Sequence, residues 1–123
     1  MSYDLCLGVK VAGAEDLYVV IDHPEYDSPT YNLGKMFRAC TGWDFDQGEW
    51  YRVSDVLPLI QHGISELKFH PSKYKQYNAP NGWGTTSSAL EALESLEECI
   101  RNNSDEASCA WNGVPLDLMY VRW

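Results

Sequence analysis

Leu116-Asp117-Leu118-Met119-Tyr120-Val121-Arg122-Trp123 is the stretch on which the fold turns. Leu116, Leu118, Tyr120 and Arg122 alternate with Asp117, Met119, Val121 and Trp123, the two-residue period of an extended strand. A strand by itself leaves a row of backbone N–H and C=O groups unpaired, so this one needs a partner. The sequence offers one place to find it. Leu5 to Val11 and Leu17 to Ile21 are rich in Val, Leu, Ile and Tyr and are separated by the short polar connection Ala12-Gly13-Ala14-Glu15-Asp16, which reads as a β-hairpin. Hairpin and final strand together predict a small, mostly antiparallel three-stranded sheet.

Three helices are expected between them. From Thr30 to Cys40, Leu33, Met36, Phe37 and Cys40 fall on one helical face. Thr30 is placed to cap the start, Lys35 and Arg38 suit the second half of the macrodipole, and Gly42 suits a left-handed exit. A second helix is expected from Val56 with Asp55 as its cap, so that Pro58 falls at the third helical position, where its missing N–H has no partner to lose. Leu57, Ile60, Ile64 and Leu67 carry its stripe through Gly63 to about Lys68, and Pro71 stops it. In the third helix Ser88 and Glu91 have capping-box spacing, and Leu90, Leu93, Leu96 and Ile100 lie opposite Glu91, Glu94 and Glu98. The order is ββαααβ: one α+β domain, residues 1–123, with helices on one side of the sheet.

Three connections lack a regular period. His23 to Pro29 is an acidic loop with two prolines, and Gly42 to Val53 alternates large aromatics with acids. Ser72 to Thr86 is the longest, holding Lys73, Lys75, Tyr77, Asn78, Trp83 and Thr85. Long ordered loops in small domains are often functional, and the bulky aromatics argue against disorder. Within it, Asn78 to Thr85 reads either as an anion-binding approach to the third helix or as a rigid turn that caps it. Its glycine spacing matches neither a Walker loop nor a dinucleotide fingerprint.

Composition removes several classes of function. With 18 Asp and Glu against 9 Lys and Arg, the net charge is −9, so phosphate neutralisation cannot drive binding of the whole chain and direct nucleic-acid binding is not expected. The longest wholly apolar run, Leu17 to Ile21, is far short of a bilayer span, and no export signal is recognisable, which predicts a cytoplasmic protein. Cys6, Cys40, Cys99 and Cys109 form no metal-ligand string, and the expectation is reduced thiols, three of them buried in helices or strands. His62 and His70 stand in no metal-binding motif, and no Cys–His pair has a recognisable local signature. No catalytic residue, metal or cofactor is expected, and the chain reads as a non-enzyme.

Charge is unevenly spread. Glu15, Asp16, Asp22, Glu25 and Asp27 occur between Val11 and Gly34 without an intervening Lys or Arg, whereas Lys68, Lys73 and Lys75 cluster between His62 and Tyr77 against the single acid Glu66. Five Trp in so short a chain place large rings in the loops at Trp43, Trp50 and Trp83, suited to core packing or to partner contact.

Thr30-Tyr31-Asn32-Leu33-Gly34-Lys35-Met36-Phe37, Tyr51-Arg52-Val53-Ser54-Asp55-Val56-Leu57-Pro58-Leu59-Ile60 and Tyr77-Asn78-Ala79-Pro80-Asn81-Gly82-Trp83-Gly84-Thr85 resemble small uncharacterised proteins encoded in bacteriophage and prophage genomes. The resemblance spans roughly residues 30–100 and carries no catalytic residue. It implies a compact cytosolic protein made in an infected bacterial cell. The leading expectation is a phage accessory protein that blocks a bacterial defence component, with Asp22, Glu25, Asp27, Asp44 and Asp46 meeting basic residues and Trp43 and Trp50 anchoring the contact. A second is a small-molecule or nucleotide-signal binder using Lys73, Lys75, Tyr77, Asn78, Trp83 and Thr85. A third is a virion assembly protein.

Overall fold

The computed structural model describes residues 1–11, 13, 17–80, 82, 84–104 and 118–123. Glu15, Asp16, Trp83, Cys109, Leu116 and Asp117, which figured in the sequence expectations, lie outside the described residues. The fold is α+β. Its strands are β1 (Cys6–Lys10), β2 (Tyr18–Asp22), β3 (Trp50–Arg52) and β4 (Met119–Arg122), its α-helices α1 (Gly34–Thr41), α2 (Val53–Phe69) and α3 (Thr86–Ser104). The sheet is antiparallel in the order β2-β1-β4-β3. The hairpin does receive the last strand, through Leu7 opposite Val121 and Val9 opposite Met119. The expectation of three strands is corrected to four among the described residues: β3 pairs with the other edge of β4. Its three residues are too few to show an alternation above the aromatic-rich loop around it.

The expected count of three helices is also corrected. Pro71–Tyr77, expected as loop, forms a two-turn 3-10 helix. In a three-residue repeat, positions i and i+3 eclipse, so Tyr74 and Tyr77 share the inward side. A single 3-10 turn, Tyr31–Leu33, leads into α1, with Thr30 Oγ1 accepting from Asn32 N as the cap and Gly42 leaving the helix at φ 73°. α2 begins at Val53 rather than Val56, directly from β3, and Asp55 lies inside the first turn. Pro58 is therefore interior, and the Ser54 carbonyl it deprives of an N–H stands at an exposed position. Ser88 is likewise inside α3, whose first turn is capped by Thr85: its Oγ1 accepts from Ser88 N at 3.2 Å.

One face of the sheet, carrying Leu7, Met119 and Val121, packs on the helices; the core continues through Met36, Phe37, Ile60, Leu93 and Leu96. Trp123, 2% exposed, closes that core. Its ring stacks on Phe45 at 4.3 Å and meets Phe37, Trp43 and Tyr3 at 4.9–5.6 Å. The other face carries Trp50, which stacks on Tyr18 at 4.8 Å with Arg122 4.9 Å from its ring. Trp50 and Tyr18 sit on opposite edge strands, so the indole crosses Gly8, where a Cβ would come within 2.6 Å of it. No helix among the described residues is long and apolar enough to cross a membrane.

Helices α1, α2 and α3 meet at Gly63. A Cβ there would lie 2.6 Å from Thr41 Cγ2 and 3.0 Å from Leu93 Cδ1. Thr41 cannot rotate away cheaply, because its buried Oγ1 donates to Phe37 O at 2.6 Å and accepts from Trp43 N at 3.0 Å. Alanine is a better helix former than glycine by about 1 kcal/mol, but forcing a methyl into a filled core costs about 1–3 kcal/mol. Gly63→Ala is expected to lower stability in urea unfolding by up to about 2 kcal/mol, the overpacking cost less the helix-propensity gain, whereas Gln61→Ala on the exposed side of α2 stays within about 0.5 kcal/mol of the parent.

Candidate functional site

The loop that follows β2 is held along its length. Leu5 N donates to Asp27 O and Tyr3 N to Pro29 O, both at 2.8 Å, and Tyr26 N donates to Ser95 Oγ of α3 at 2.8 Å. Between loop and helix runs a groove of about 680 Å³. Glu25 and Asp27 line it from the loop; Glu91, Glu94 and Glu98 line it from α3. The helical spacing puts those three on one face because Leu93, Leu96 and Ile100 occupy the core side. Lys68 Nζ lies 3.7 Å from Glu94, so it offsets that carboxylate's charge, and the groove's uncompensated negative charge comes from Glu25, Asp27, Glu91 and Glu98. Five carboxylates around one concavity focus a negative potential. At the floor, Ser95 Oγ accepts from the backbone N–H of Tyr26. The arrangement is chemically suited to receiving cationic groups.

The expected partner-binding residues divide. Glu25 and Asp27 line the groove. Asp22 is turned toward the helices by a bulge that leaves Ile21 unpaired opposite Leu7 and Gly8. Its Oδ2 accepts from Asn103 Nδ2 at 2.9 Å and its Oδ1 from His23 N at 2.8 Å, so it is a structural tie more than a free charge. Asp44 and Asp46 are exposed but lie on the 42–49 loop, outside the groove's lining. Trp43 does not face outward: it is 5% exposed, edge-on to Tyr51 and Trp123. The alternation Trp43-Asp44-Phe45-Asp46 explains this, since extended backbone sends the rings inward and the acids to water. Trp50 is half-buried on the sheet face away from the helices, its ring already engaged by Tyr18 and Arg122.

Of the expected ligand residues, Tyr77 and Asn78 line one cavity of about 540 Å³ with Lys35, and Lys73, Lys75 and Thr85 are not in its lining. Asn78 Oδ1 accepts from Thr86 N at 3.1 Å and Thr85 Oγ1 from Ser88 N, so both cap α3; of the two readings of this segment, the capping turn describes the described residues. Tyr77 is half-buried and Lys75 is exposed. Lys73 is held by Glu66 at 3.0 Å, and Tyr74 Oη donates to the same carboxylate oxygen at 2.6 Å. The bond from Tyr74, then that from Lys73, lowers the Glu66 pKa. This tether between α2 and the 3-10 helix is complete above the ordinary carboxylate range and is lost as pH falls through the lowered value. With Lys68 facing Glu94, two of the three lysines of the basic stretch are engaged in ion pairs.

Cys6, Cys40 and Cys99 are buried and unpaired. Burial pushes the Cys40 and Cys99 thiols up to about 12 and raises that of Cys6.

Glu91, Glu94 and Glu98 were legible only as the polar face of α3. Their partnership with Glu25 and Asp27 depends on the Tyr26–Ser95 bond, which joins positions 69 residues apart. Comparison of the chain with protein-family models, with curated proteins and with solved structures finds no match.

Two outcomes check these assignments. Asn78→Ala and Thr85→Ala are each expected to lower stability by about 0.5–2 kcal/mol, the value of a helix cap, measured by chemical unfolding. Cys6, Cys40 and Cys99 are expected to react with a thiol reagent at neutral pH only after unfolding, read by mass spectrometry of the labelled peptides.

Proposed function

We propose that this chain is a non-enzymatic phage accessory protein that acts by binding, its acidic groove receiving the basic, nucleic-acid-contacting surface of a bacterial antiviral defence protein. The observation that carries the reading is the row of Glu91, Glu94 and Glu98 facing Glu25 and Asp27 across a groove fixed by backbone hydrogen bonds. Glu91 to Glu98 spans about 10 Å of helix axis, a line of negative charge of the kind that a nucleic-acid backbone offers a cationic cleft. Because the loop is tied to α3 and to residues 3–5, the charges are in place before a partner arrives, which favours fast, electrostatically steered association.

The test compares the parent with a Glu25→Gln/Glu91→Gln/Glu98→Gln variant. Each, carrying an affinity tag, is used to retain proteins from a bacterial host lysate, and binding of the retained protein is then measured as a function of salt. The expected result is a retained nucleic-acid-binding protein whose association with the variant is at least tenfold slower and less salt-dependent. Equal binding by parent and variant would overturn the assignment of the groove, and a retained partner with no cationic surface would overturn mimicry of nucleic acid.

A further inference from the structure

Asp4, His23 and Asp27 come together at the foot of the 23–28 loop, with one ligand atom from each within 4.8 Å of the other two. Backbone pairing produces the meeting: the Leu5 N to Asp27 O bond sets residues 4 and 27 side by side, and His23 leans over the same turn. His23 Nδ1 lies 3.2 Å from Leu5 O. A ring N–H donated to a backbone carbonyl places the lone pair on Nε2, and metal-binding histidines are commonly oriented this way. Asp27 Oδ1 accepts from Ser28 Oγ at 2.9 Å, which steers that carboxylate while leaving Oδ2 available. Two of the three residues are thus oriented by groups outside the cluster.

We infer that Asp4, His23 and Asp27 form a binding site for a divalent transition-metal ion of the zinc type. Two carboxylates and a neutral imidazole balance a charge of +2. One nitrogen and two oxygens form a donor set that zinc accepts, whereas magnesium and calcium prefer oxygen alone and magnesium retains much of its water. Metal–ligand bonds of about 2.0–2.2 Å set tetrahedral donors about 3.4 Å apart, and the separations here are bounded by 4.8 Å, so at most a small closing movement is needed. Asp4 is exposed, so its rotamer can supply that movement while His23 and Asp27 keep their orientation. Three protein ligands leave further coordination positions to water. Cys6, nearby in sequence, is buried. No short-range motif announces this site; its members are 19 and 4 residues apart and meet only through the sheet and loop. It shares Asp27 with the groove, yet the groove test changes Glu25, Glu91 and Glu98, so the two proposals fail separately.

The test is a calorimetric titration of Zn²⁺ into the full chain, freed of metal and with its thiols reduced, in excess Mg²⁺. A single saturable equivalent is expected, with affinity lowered at least tenfold by His23→Ala and by Asp4→Asn and unchanged by Asp44→Asn. The His23 ring resonances are expected to shift on addition of Zn²⁺. Absence of a saturable equivalent, or binding that survives both His23→Ala and Asp4→Asn, overturns the site, and displacement by Mg²⁺ overturns the choice of metal class. If His23→Ala fails to fold, Asp4→Asn, a near-isosteric change at an exposed position, decides the matter alone.

Discussion

The insertion of Trp123 among Phe37, Phe45, Trp43 and Tyr3 is the contact on which the rest of the molecule depends. It sits at the end of β4, the strand that has β1 on one side and β3 on the other, so seating the indole also sets the register of the sheet. Its carbonyl accepts from Gly48 N at 3.0 Å and so brings in the loop before β3. Burying a ring of this size removes about 150–250 Å² from water, worth about 4–6 kcal/mol at 25 cal/mol per Å². Against this stands a polar cost: the Nε1 atoms of Trp43 and Trp123 are buried without an acceptor among the described residues. An unmade hydrogen bond costs about 1–3 kcal/mol, so ring burial wins at each position. This explains why Trp43 is a core residue despite its place in an acidic loop.

What could be read from the sequence was what local periodicity encodes. The hairpin, the Thr30 cap, the Gly42 exit and the Leu93-Leu96-Ile100 stripe follow from spacings of two, three or four residues, and the structure has them. The elements that escaped are those where tertiary contact outweighs local preference. β3 is three residues long and exists because β4 offers a free edge. The 71–77 segment winds with a three-residue period around Tyr74, which is 4% exposed and bonded to Glu66. α2 starts early because Val53 is core, and this outweighs the proline then left inside the helix.

The groove was half legible. A run of acids without cations marks the 23–28 loop in the sequence, and a glutamate face marks α3. Neither says that the two are adjacent, because the joining contact is one backbone N–H meeting one serine hydroxyl. The Asp4–His23–Asp27 cluster lies beyond sequence reasoning for the same reason, with Leu5 as the hidden intermediary: its N–H binds Asp27 and its carbonyl faces His23.

The way the groove is built bears on what it is for. Carboxylates crowded on a surface repel one another, and a loop with no other task relieves that repulsion by moving away or by recruiting cations. Here the loop is pinned by the Leu5–Asp27, Tyr3–Pro29 and Tyr26–Ser95 bonds, each made by backbone N–H groups that leave the carboxylates of Glu25, Glu91 and Glu98 uninvolved. The lysines of the stretch after α2 show the opposite solution, since Lys73 and Glu66 neutralise each other and tie two elements together. At the groove, among the described residues, a cation meets only Glu94, through Lys68, and the loop itself is held by neutral bonds rather than by charge pairs. A surface held by neutral bonds, with carboxylates left facing a cavity, keeps a negative potential there, and this is the physical ground for the binding role proposed above.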